Sequence, residues 1–157
     1  MRKAIFLDRD GVLVVDKEYQ FSWSDVEISV KFLTFLQEFS KAFDHLFIIT
    51  NQSGVGRGYF TKEDCEQFNN SLVRECLSYD VKITNVYVCY HNPFDNCECR
   101  KPKPGMILAA ARQYDVNLAK SVLFGDKVSD IMAGKNAGIG KNYLVNLNDK
   151  NLIKLHH

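Results

Sequence analysis

Apolar runs alternate with helical patterns along the whole chain, and this alternation constrains the fold more than any other feature. Five runs have the character of buried strands: KAIFLD at 3–8, HLFIIT at 45–50, NVYVCY at 85–90, SVLFGD at 121–126 and YLVNL at 143–147. Alternation of this kind is typical of an α/β fold with a mostly parallel sheet and helices on both faces. We therefore predict a Rossmann-like three-layer sandwich.

The segments between these runs carry signals for the starts, faces and ends of helices. Apolar residues over 28–39 recur every three or four positions, which predicts one buried helix face. The TKED sequence that opens 61–79 resembles a capping box at a helix start. Pro104 suits the first turn of the next helix, and Gly138 suits the end of the last one.

Composition bounds the class of protein. The chain has 157 residues, of which 46% are hydrophobic and 25% charged, so we expect one domain (1–157) with a sizeable core. The formal net charge of +1 gives no electrostatic reason to expect a nucleic-acid or membrane partner. No apolar run approaches the roughly 18 residues that cross a bilayer, and we see no secretory signal. We expect a cytoplasmic monomer.

Ligands of such sheets bind beyond the carboxyl ends of the strands, so the residues after each strand are the candidates for function. The first strand leads to Asp8 and Asp10, whose spacing suits a divalent cation or paired nucleophile and acid roles. Taken alone, this pair fits a surface turn equally well. The second strand leads to TNQSGVGRG at 50–58, which fits either a phosphate cradle or a flexible loop.

Charged residues also follow the third and fourth strands. Arg100 and Lys101 would neutralise a bound phosphate, although isolated cations are more often solvated. Asp126 and Asp130 would complete a cation site with the first pair, although a single Asp opening a helix is more often an N-cap.

One short segment carries three cysteines and one histidine: Cys89, His91, Cys97 and Cys99. Three sulfurs and one imidazole form a full tetrahedral ligand set for Zn²⁺, which leaves no open position and predicts a structural ion. The alternatives are a disulfide between Cys97 and Cys99, or surface thiols without metal. We expect Cys65 and Cys76 to be buried core thiols.

Four motifs follow one another at successive predicted strand ends: Asp-x-Asp, Ser/Thr, Lys and Gly-Asp-x-x-x-Asp. Taken together, they resemble the haloacid dehalogenase (HAD) superfamily of phosphotransferases. The match covers nearly the whole chain in the right order. IFLDRDGV is similar to the nucleophile motif of that family, and the chain leaves no room for a large cap domain.

The resemblance implies a role for each strand-end residue. Asp8 would be the nucleophile that forms an aspartyl-phosphate, and Asp10 the general acid and then base. Mg²⁺ would be bound by Asp8, the backbone carbonyl of Asp10, and Asp126. Lys101 would counter the phosphoryl charge, and Asp130 would orient Lys101 or a metal-bound water.

The same resemblance implies phosphoryl contacts from three residues of the second loop: Thr50, Asn51 and Ser53. The chain also carries four more specific motifs: DRDGV, TNQSGVGRG, CxCRKPxPGM and GDK. In this combination it resembles heptose 1,7-bisphosphate 7-phosphatases and their relatives, the histidinol-phosphate phosphatases. The expected substrate is therefore a small phosphorylated sugar, D-glycero-D-manno-heptose 1,7-bisphosphate, from which the 7-phosphate is removed. Histidinol phosphate or another small phosphate ester is the alternative. A DNA 3′-phosphatase and a zinc-stabilised binding module are less favoured.

Substrate selection would fall to short loops at 16–25, 51–58 and 92–100. Tyr19 fits the heptose pattern, whereas Glu18 replaces the expected glycine. We expect Arg100 and Arg57 to contact the substrate, and a zinc-binding loop at 89–99 to fix the approach of Arg100 and Lys101. Lys127 lies near the expected site without an assigned role. The terminal pair His156-His157 is either natural or the start of a tag, and we assign it no function.

Overall fold

The computed structural model describes all 157 residues, and it contains one six-stranded sheet. The strands are β1 (Ala4–Leu7), β2 (His45–Asn51), β3 (Asn85–Cys89), β4 (Val122–Gly125), β5 (Lys141–Val145) and β6 (Ile153–His156). Their order is β3-β2-β1-β4-β5-β6, with every pair parallel except β5 and β6. The predicted mostly parallel α/β sheet is confirmed, and β6 is an addition that we did not predict.

The helices are α1 (Val30–Phe39), α2 (Ser53–Gly56), α3 (Lys62–Ser78), α4 (Gly105–Tyr114) and α5 (Val128–Ala137). The capping box that begins α3 is confirmed, because the Thr61 hydroxyl accepts from the Asp64 N–H and the Asp64 carboxylate accepts from the Thr61 N–H. Gly138 ends α5 with a φ of +93°, as predicted. Pro104 is the N-cap of α4 and lies one residue before its first turn.

Two hydrophobic clusters cover the two faces of the sheet. Ile5 and Leu7 of β1 belong to one cluster, which includes residues of α1 and α3. Ala4 and Phe6 belong to the other, which includes residues of α4 and α5. Because β1 is buried on both faces, its sequence reads as a continuous apolar run. The three-layer arrangement follows.

No helix in this structure is long and apolar enough to cross a membrane. No large cap domain is inserted between the elements. Since β1 to β4 are parallel, their carboxyl ends lie along one edge of the sheet. The residues that follow these strands are therefore brought together there.

Candidate active site

Asp8 directly follows β1 and is 7% exposed. Its backbone N–H donates to the carbonyl of Phe124 on β4 at 3.0 Å, so pairing of the two central strands holds this residue. The N–H of Arg9 donates to Oδ1 of Asp8 at 2.9 Å. The backbone itself thus presents the Asp8 carboxylate at the edge of the sheet.

Lys101 reaches Asp8 from a position 93 residues later in the chain. Its Nζ lies 2.8 Å from Oδ1 of Asp8 and 2.6 Å from Oδ1 of Asp130, and it also donates to the Ile49 carbonyl at 3.0 Å. Only 5% of Lys101 is exposed. A buried ammonium group requires partners of this kind. Asp130 therefore forms an ion pair with Lys101, the contact that the first of the two roles considered for it requires.

Burial and neighbouring charges act in opposite directions on this pair. Burial raises the pKa of Asp8 well above its usual range, Lys101 lowers it, and Asp130 and Asp126 raise it further. Burial alone would lower the pKa of Lys101, but the carboxylates of Asp8 and Asp130 outweigh burial and raise it. Lys101 therefore stays protonated, and the charged form of Asp8 requires additional stabilisation.

Three carboxylates form what we call the carboxylate cluster: Asp8, Asp126 and Asp130, whose oxygens lie within 4.8 Å of one another. Both oxygens of Asp130 are occupied, because Oδ1 contacts Lys101 and Oδ2 accepts from the N–H groups of Asp126 and Lys127. Oδ1 of Asp126, in contrast, is buried without a hydrogen-bond partner. Three carboxylates against one ammonium group, together with one unpartnered oxygen, suit a divalent cation.

Gly11 allows the carboxylate cluster to be this compact. A Cβ atom at this position would lie 2.1 Å from Oδ2 of Asp126. The residue also has a φ of +87°, a backbone conformation that residues other than glycine rarely adopt. Both observations explain why glycine follows Asp10 in this loop.

Asp10 has surroundings different from those of Asp8 and is not part of the carboxylate cluster. Its carboxylate accepts from Arg9 at 3.1 and 3.2 Å, from Gln20 at 2.7 Å and from Gln52 at 3.0 Å. None of these three donors was predicted from the sequence. Arg9 and Gln52 lie within recognised motifs, so their position was a usable signal, whereas no sequence feature points to Gln20.

A cavity of about 960 Å³ opens beside Asp10 and Lys101. Only one of its 15 lining residues is hydrophobic, which suits a strongly polar ligand. Five of the six residues predicted to contact the substrate line it: Tyr19, Asn51, Ser53, Arg57 and Arg100. The sixth, Thr50, is 1% exposed and does not line the cavity, and its Oγ1 accepts from Nε2 of Gln52 at 2.8 Å.

Two features of the cavity wall were not predicted. Tyr59 packs edge-to-face on Tyr19 with ring centroids 4.9 Å apart, and the Arg57 guanidinium lies 5.8 Å from the Tyr19 ring. The Asn51 side chain brackets the backbone of Lys101, accepting from its N–H at 3.1 Å and donating to its carbonyl at 3.4 Å. Asn51 therefore positions Lys101 as well as lining the cavity.

The Cys/His cluster (Cys89, His91, Cys97 and Cys99) lies just before this lysine. All four donor atoms are within 4.8 Å of one another. Sγ of Cys89 lies 3.7 Å from Sγ of Cys97 and 3.0 Å from Sγ of Cys99, while Nδ1 of His91 lies 3.2 Å from Sγ of Cys99. All five cysteines are free, so the alternative disulfide is absent, and Cys65 and Cys76 are buried as predicted.

The loop that carries the Cys/His cluster is tied to the start of α4. Nζ of Lys103 donates to the Cys97 carbonyl at 2.8 Å, and the N–H of Gly105 donates to the Glu98 carbonyl at 3.2 Å. Arg100 and Lys101 lie between these two anchors. The cluster and α4 therefore bracket the two cations from both sides.

Comparison with known proteins gives consistent matches. A HAD-hydrolase-like family model matches residues 98–146. The chain is 42% identical over 144 residues to the D-glycero-α-D-manno-heptose-1,7-bisphosphate 7-phosphatase of Campylobacter jejuni, covering 92% of this chain and 83% of that protein. It is 40% identical over 147 residues to the corresponding β-anomer phosphatase of Helicobacter pylori, covering 93% and 84%.

A solved structure extends the match to three dimensions. The crystal structure of the D,D-heptose 1,7-bisphosphate phosphatase of B. bronchiseptica, in complex with magnesium and phosphate, superposes with a TM-score of 0.83 at 33% identity. The match covers 91% of this chain and 80% of that one. The predicted HAD-type fold is thereby confirmed.

Proposed function

Because the chain belongs to the HAD-like family of heptose-1,7-bisphosphate 7-phosphatases, we propose that it is a Mg²⁺-dependent phosphatase. Its substrate is D-glycero-D-manno-heptose 1,7-bisphosphate, from which it removes the 7-phosphate. One observation carries the proposal: the buried Asp8 carboxylate is paired with Lys101 at 2.8 Å, beside a polar cavity. A carboxylate held in this way suits covalent phosphoryl transfer.

In the proposed reaction, a carboxylate oxygen of Asp8 attacks the phosphorus of the 7-phosphate. The new bond gives an aspartyl-phosphate, and the bond between phosphorus and the C7 oxygen breaks. Asp10 donates a proton to that leaving oxygen and then takes one from the water that hydrolyses the aspartyl-phosphate. Heptose 1-phosphate and inorganic phosphate are released, and the Asp8 carboxylate is restored.

The phosphoryl group is bound by positive charge and hydrogen bonds from neighbouring loops. Lys101 offsets the negative charge on the phosphoryl oxygens and on Asp8. Asn51 and Ser53 line the cavity and bind phosphoryl oxygens. Thr50 contributes from its buried position: its Oγ1 accepts from Gln52, which leaves its O–H free to donate to a phosphoryl oxygen.

The residues of this edge fit Mg²⁺, with Asp8, the Asp10 carbonyl and Asp126 as ligands. The support is the buried, unpartnered Oδ1 of Asp126 and the excess of carboxylate charge in the cluster. When bound, the ion supplies the positive charge that lets a phosphate approach a carboxylate. Chelation is therefore expected to abolish turnover, and added Mg²⁺ to restore it.

A structural Zn²⁺ ion is proposed for the Cys/His cluster. Two thiolates on one zinc are expected about 3.7 Å apart, given metal–sulfur distances of about 2.3 Å. The Cys89–Cys97 sulfur separation of 3.7 Å matches that value, whereas the Cys89–Cys99 separation of 3.0 Å is shorter. Four protein ligands leave no position for water or substrate, so the ion holds the loop that leads to Arg100 and Lys101.

The substrate carries a second phosphate and several hydroxyl groups. Arg57 and Arg100 give the cavity two guanidinium groups, which suit bidentate phosphate contacts. Tyr19 adds a ring and a hydroxyl at the same wall. These three residues are proposed to select the sugar phosphate.

The wider proposal covers the protein as a whole. Residues 1–157 form one domain with its zinc-binding loop at 89–99, since a single sheet includes strands from Ala4 to His156. The near-neutral net charge of +1 favours a small-molecule substrate over nucleic acid or a membrane surface. Free clustered cysteines favour the cytoplasm, and a monomer is the expected state.

The test is kcat/KM with Mg²⁺ on both anomers of heptose 1,7-bisphosphate and on histidinol phosphate. A preference of several hundredfold for the heptose supports the proposal, and the ratio between anomers identifies the preferred form. A preference for histidinol phosphate would overturn the proposed substrate. Weak turnover of all three would keep the phosphatase chemistry and point to another small phosphate ester.

A further inference from the structure

Gln20 contacts the active site but lies outside every motif that identifies it. Its Nε2 donates to Oδ1 of Asp10 at 2.7 Å, the shortest of the four hydrogen bonds on that carboxylate. The same nitrogen donates to the Val15 carbonyl at 2.9 Å. Gln20 thereby connects the Asp10 carboxylate to Val15, the residue directly before the 16–25 loop.

The surroundings determine the orientation of this amide. Both atoms that face Nε2, Oδ1 of Asp10 and the Val15 carbonyl, are acceptors, so a flipped amide would place three oxygens together. Oε1 of Gln20 is meanwhile buried without a partner. An unpartnered buried oxygen is unfavourable. The amide orientation that leaves Oε1 without a partner is the one that lets Nε2 donate to both Asp10 and the Val15 carbonyl.

The other donors to Asp10 are built into the core, whereas Gln20 is not. Arg9 is 1% exposed, with its guanidinium 4.3 Å from the Phe68 ring and donating to Asn69 at 3.1 Å. Gln52 is 4% exposed and is also bonded to a buried threonine. Gln20 is half-buried and is the only donor from the 16–25 loop.

The 16–25 loop also forms part of the cavity wall. Residues 16–19 line the cavity immediately before Gln20. Glu18 and Tyr19 have φ values of +51° and +54°, an unusual pair of left-handed residues that turns the chain just before Gln20. Arg9 donates to the Gln20 carbonyl at 3.2 Å and so anchors the loop at the same point.

Resting on the proposed phosphatase function, we propose that Gln20 is a positioning residue for the acid/base Asp10. It holds Oδ1 of Asp10 from the cavity loop, so that the carboxyl group is aligned with the leaving oxygen of a bound phosphate ester. Without this contact, Asp10 keeps Arg9 and Gln52 but loses its shortest hydrogen bond, and its carboxyl group is no longer held from the cavity loop. The effect therefore falls on proton delivery to the leaving group, not on phosphate binding.

Leaving-group dependence distinguishes this role from a structural one. An alkyl phosphate needs a proton on its leaving oxygen, whereas 4-nitrophenyl phosphate releases a stable phenolate and hardly needs one. For Gln20→Ala we expect kcat/KM to fall about tenfold on heptose 1,7-bisphosphate but less than about threefold on 4-nitrophenyl phosphate. The isosteric Gln20→Glu, when ionised, has no proton to donate and places a second negative charge beside Asp10, so it should show a leaving-group dependence at least as large.

Ser24→Ala is the matched control, because Ser24 lies on the same loop and its hydroxyl bonds only to Ser22. This variant should have the wild-type kcat/KM on both substrates. Equal losses on the two substrates with Gln20→Ala, a change confined to KM, or no change at all would overturn the positioning role. If the wild-type protein hydrolyses glycerol 3-phosphate but not the heptose, the proposed substrate fails, and the comparison is made with that ester. Absence of any phosphatase activity would overturn both proposals.

Discussion

The carboxylate cluster and the Cys/His cluster lie on neighbouring loops, yet they are assembled in opposite ways. The Cys/His cluster takes all its donors from residues 89–99, whereas the carboxylate cluster joins the ends of β1 and β4 and is paired with a lysine 93 residues from Asp8. The first is a local arrangement that short-range spacing can specify. The second exists only after the sheet has formed.

The two clusters also differ in whether their own residues complete the ligand set of a metal ion. Four Cys and His donors complete a tetrahedral zinc site by themselves. The carboxylate cluster keeps a buried oxygen of Asp126 without a partner and carries more negative charge than Lys101 offsets. A closed site suits a structural ion, and an open one suits an ion that must also contact a substrate. The predictions below test this difference.

The largest effect is expected for Asp8→Asn. The amide cannot form the phospho-enzyme, so kcat/KM should fall about 10⁴-fold or more. Since the substitution also removes one charge from a buried cluster, thermal stability without Mg²⁺ should not decrease. Steady-state kinetics and thermal melts in EDTA measure both quantities. Activity above a few per cent of wild type would exclude Asp8 as the nucleophile.

Lys101→Met should cost both activity and stability. The change leaves Asp8 and Asp130 buried without their shared cation, and breaking a buried ion pair typically costs about 3 kcal/mol. We expect the free energy of unfolding to fall by about that amount and kcat/KM by about 10²-fold or more. Denaturant titration and kinetics test this.

Lys127→Met is the matched control for the loss of stability, because Lys127 borders the same cavity but is exposed. Its ion pair with Asp16 spans 3.9 Å at the surface. Such a pair contributes less than about 1 kcal/mol. If Lys127→Met lost as much stability as Lys101→Met, the buried ion pairs of Lys101 would contribute no more to stability than the exposed pair of Lys127.

The fold was predictable because burial leaves a strong pattern in the sequence. A parallel strand covered on both faces reads as a continuous apolar run, as in β1, β2 and β4. β3 and β5 were recognised from shorter apolar runs, although most of their residues are only half-buried. β6 was missed because only Ile153 and Leu155 alternate with exposed residues in a four-residue edge strand. A pattern that short does not distinguish a strand from a loop.

The positions of Asp8 and Asp126 were predictable because both directly follow strands, and that of Lys101 because it lies in the CxCRKPxPGM motif. A contact that depends on the course of a loop was not predictable. The Gln20 side chain reaches Asp10 only because the two residues before it are left-handed. Both are non-glycine residues, so nothing in the sequence indicates that turn.

Cys97→Ser is expected to have a smaller effect that reaches the carboxylate cluster indirectly. Loss of one ligand should release zinc, lower the melting temperature by about 5 °C and reduce kcat/KM about tenfold, since the ion no longer holds the loop that leads to Arg100 and Lys101. Zinc content, thermal melts and kinetics measure this.

Cys65→Ala provides the control for removing a cysteine. Cys65 is buried in α3 away from the cluster, so this variant should keep its zinc whatever stability it loses. Loss of the metal from Cys97→Ser with unchanged activity would show that the loop does not need the ion to position Lys101.

The smallest effect is expected for Thr61→Ala, which removes the cap of α3. The Thr61 hydroxyl accepts from the Asp64 N–H at 3.0 Å, and losing such a cap costs about 1 kcal/mol. The melting temperature should fall by about 3 °C, with zinc content and kcat/KM unchanged at an assay temperature well below the transition. The variant thus measures what destabilisation alone does to activity. If it loses as much activity as Cys97→Ser, general destabilisation explains the effect of the cysteine change, and the coupling between the two clusters is disproved.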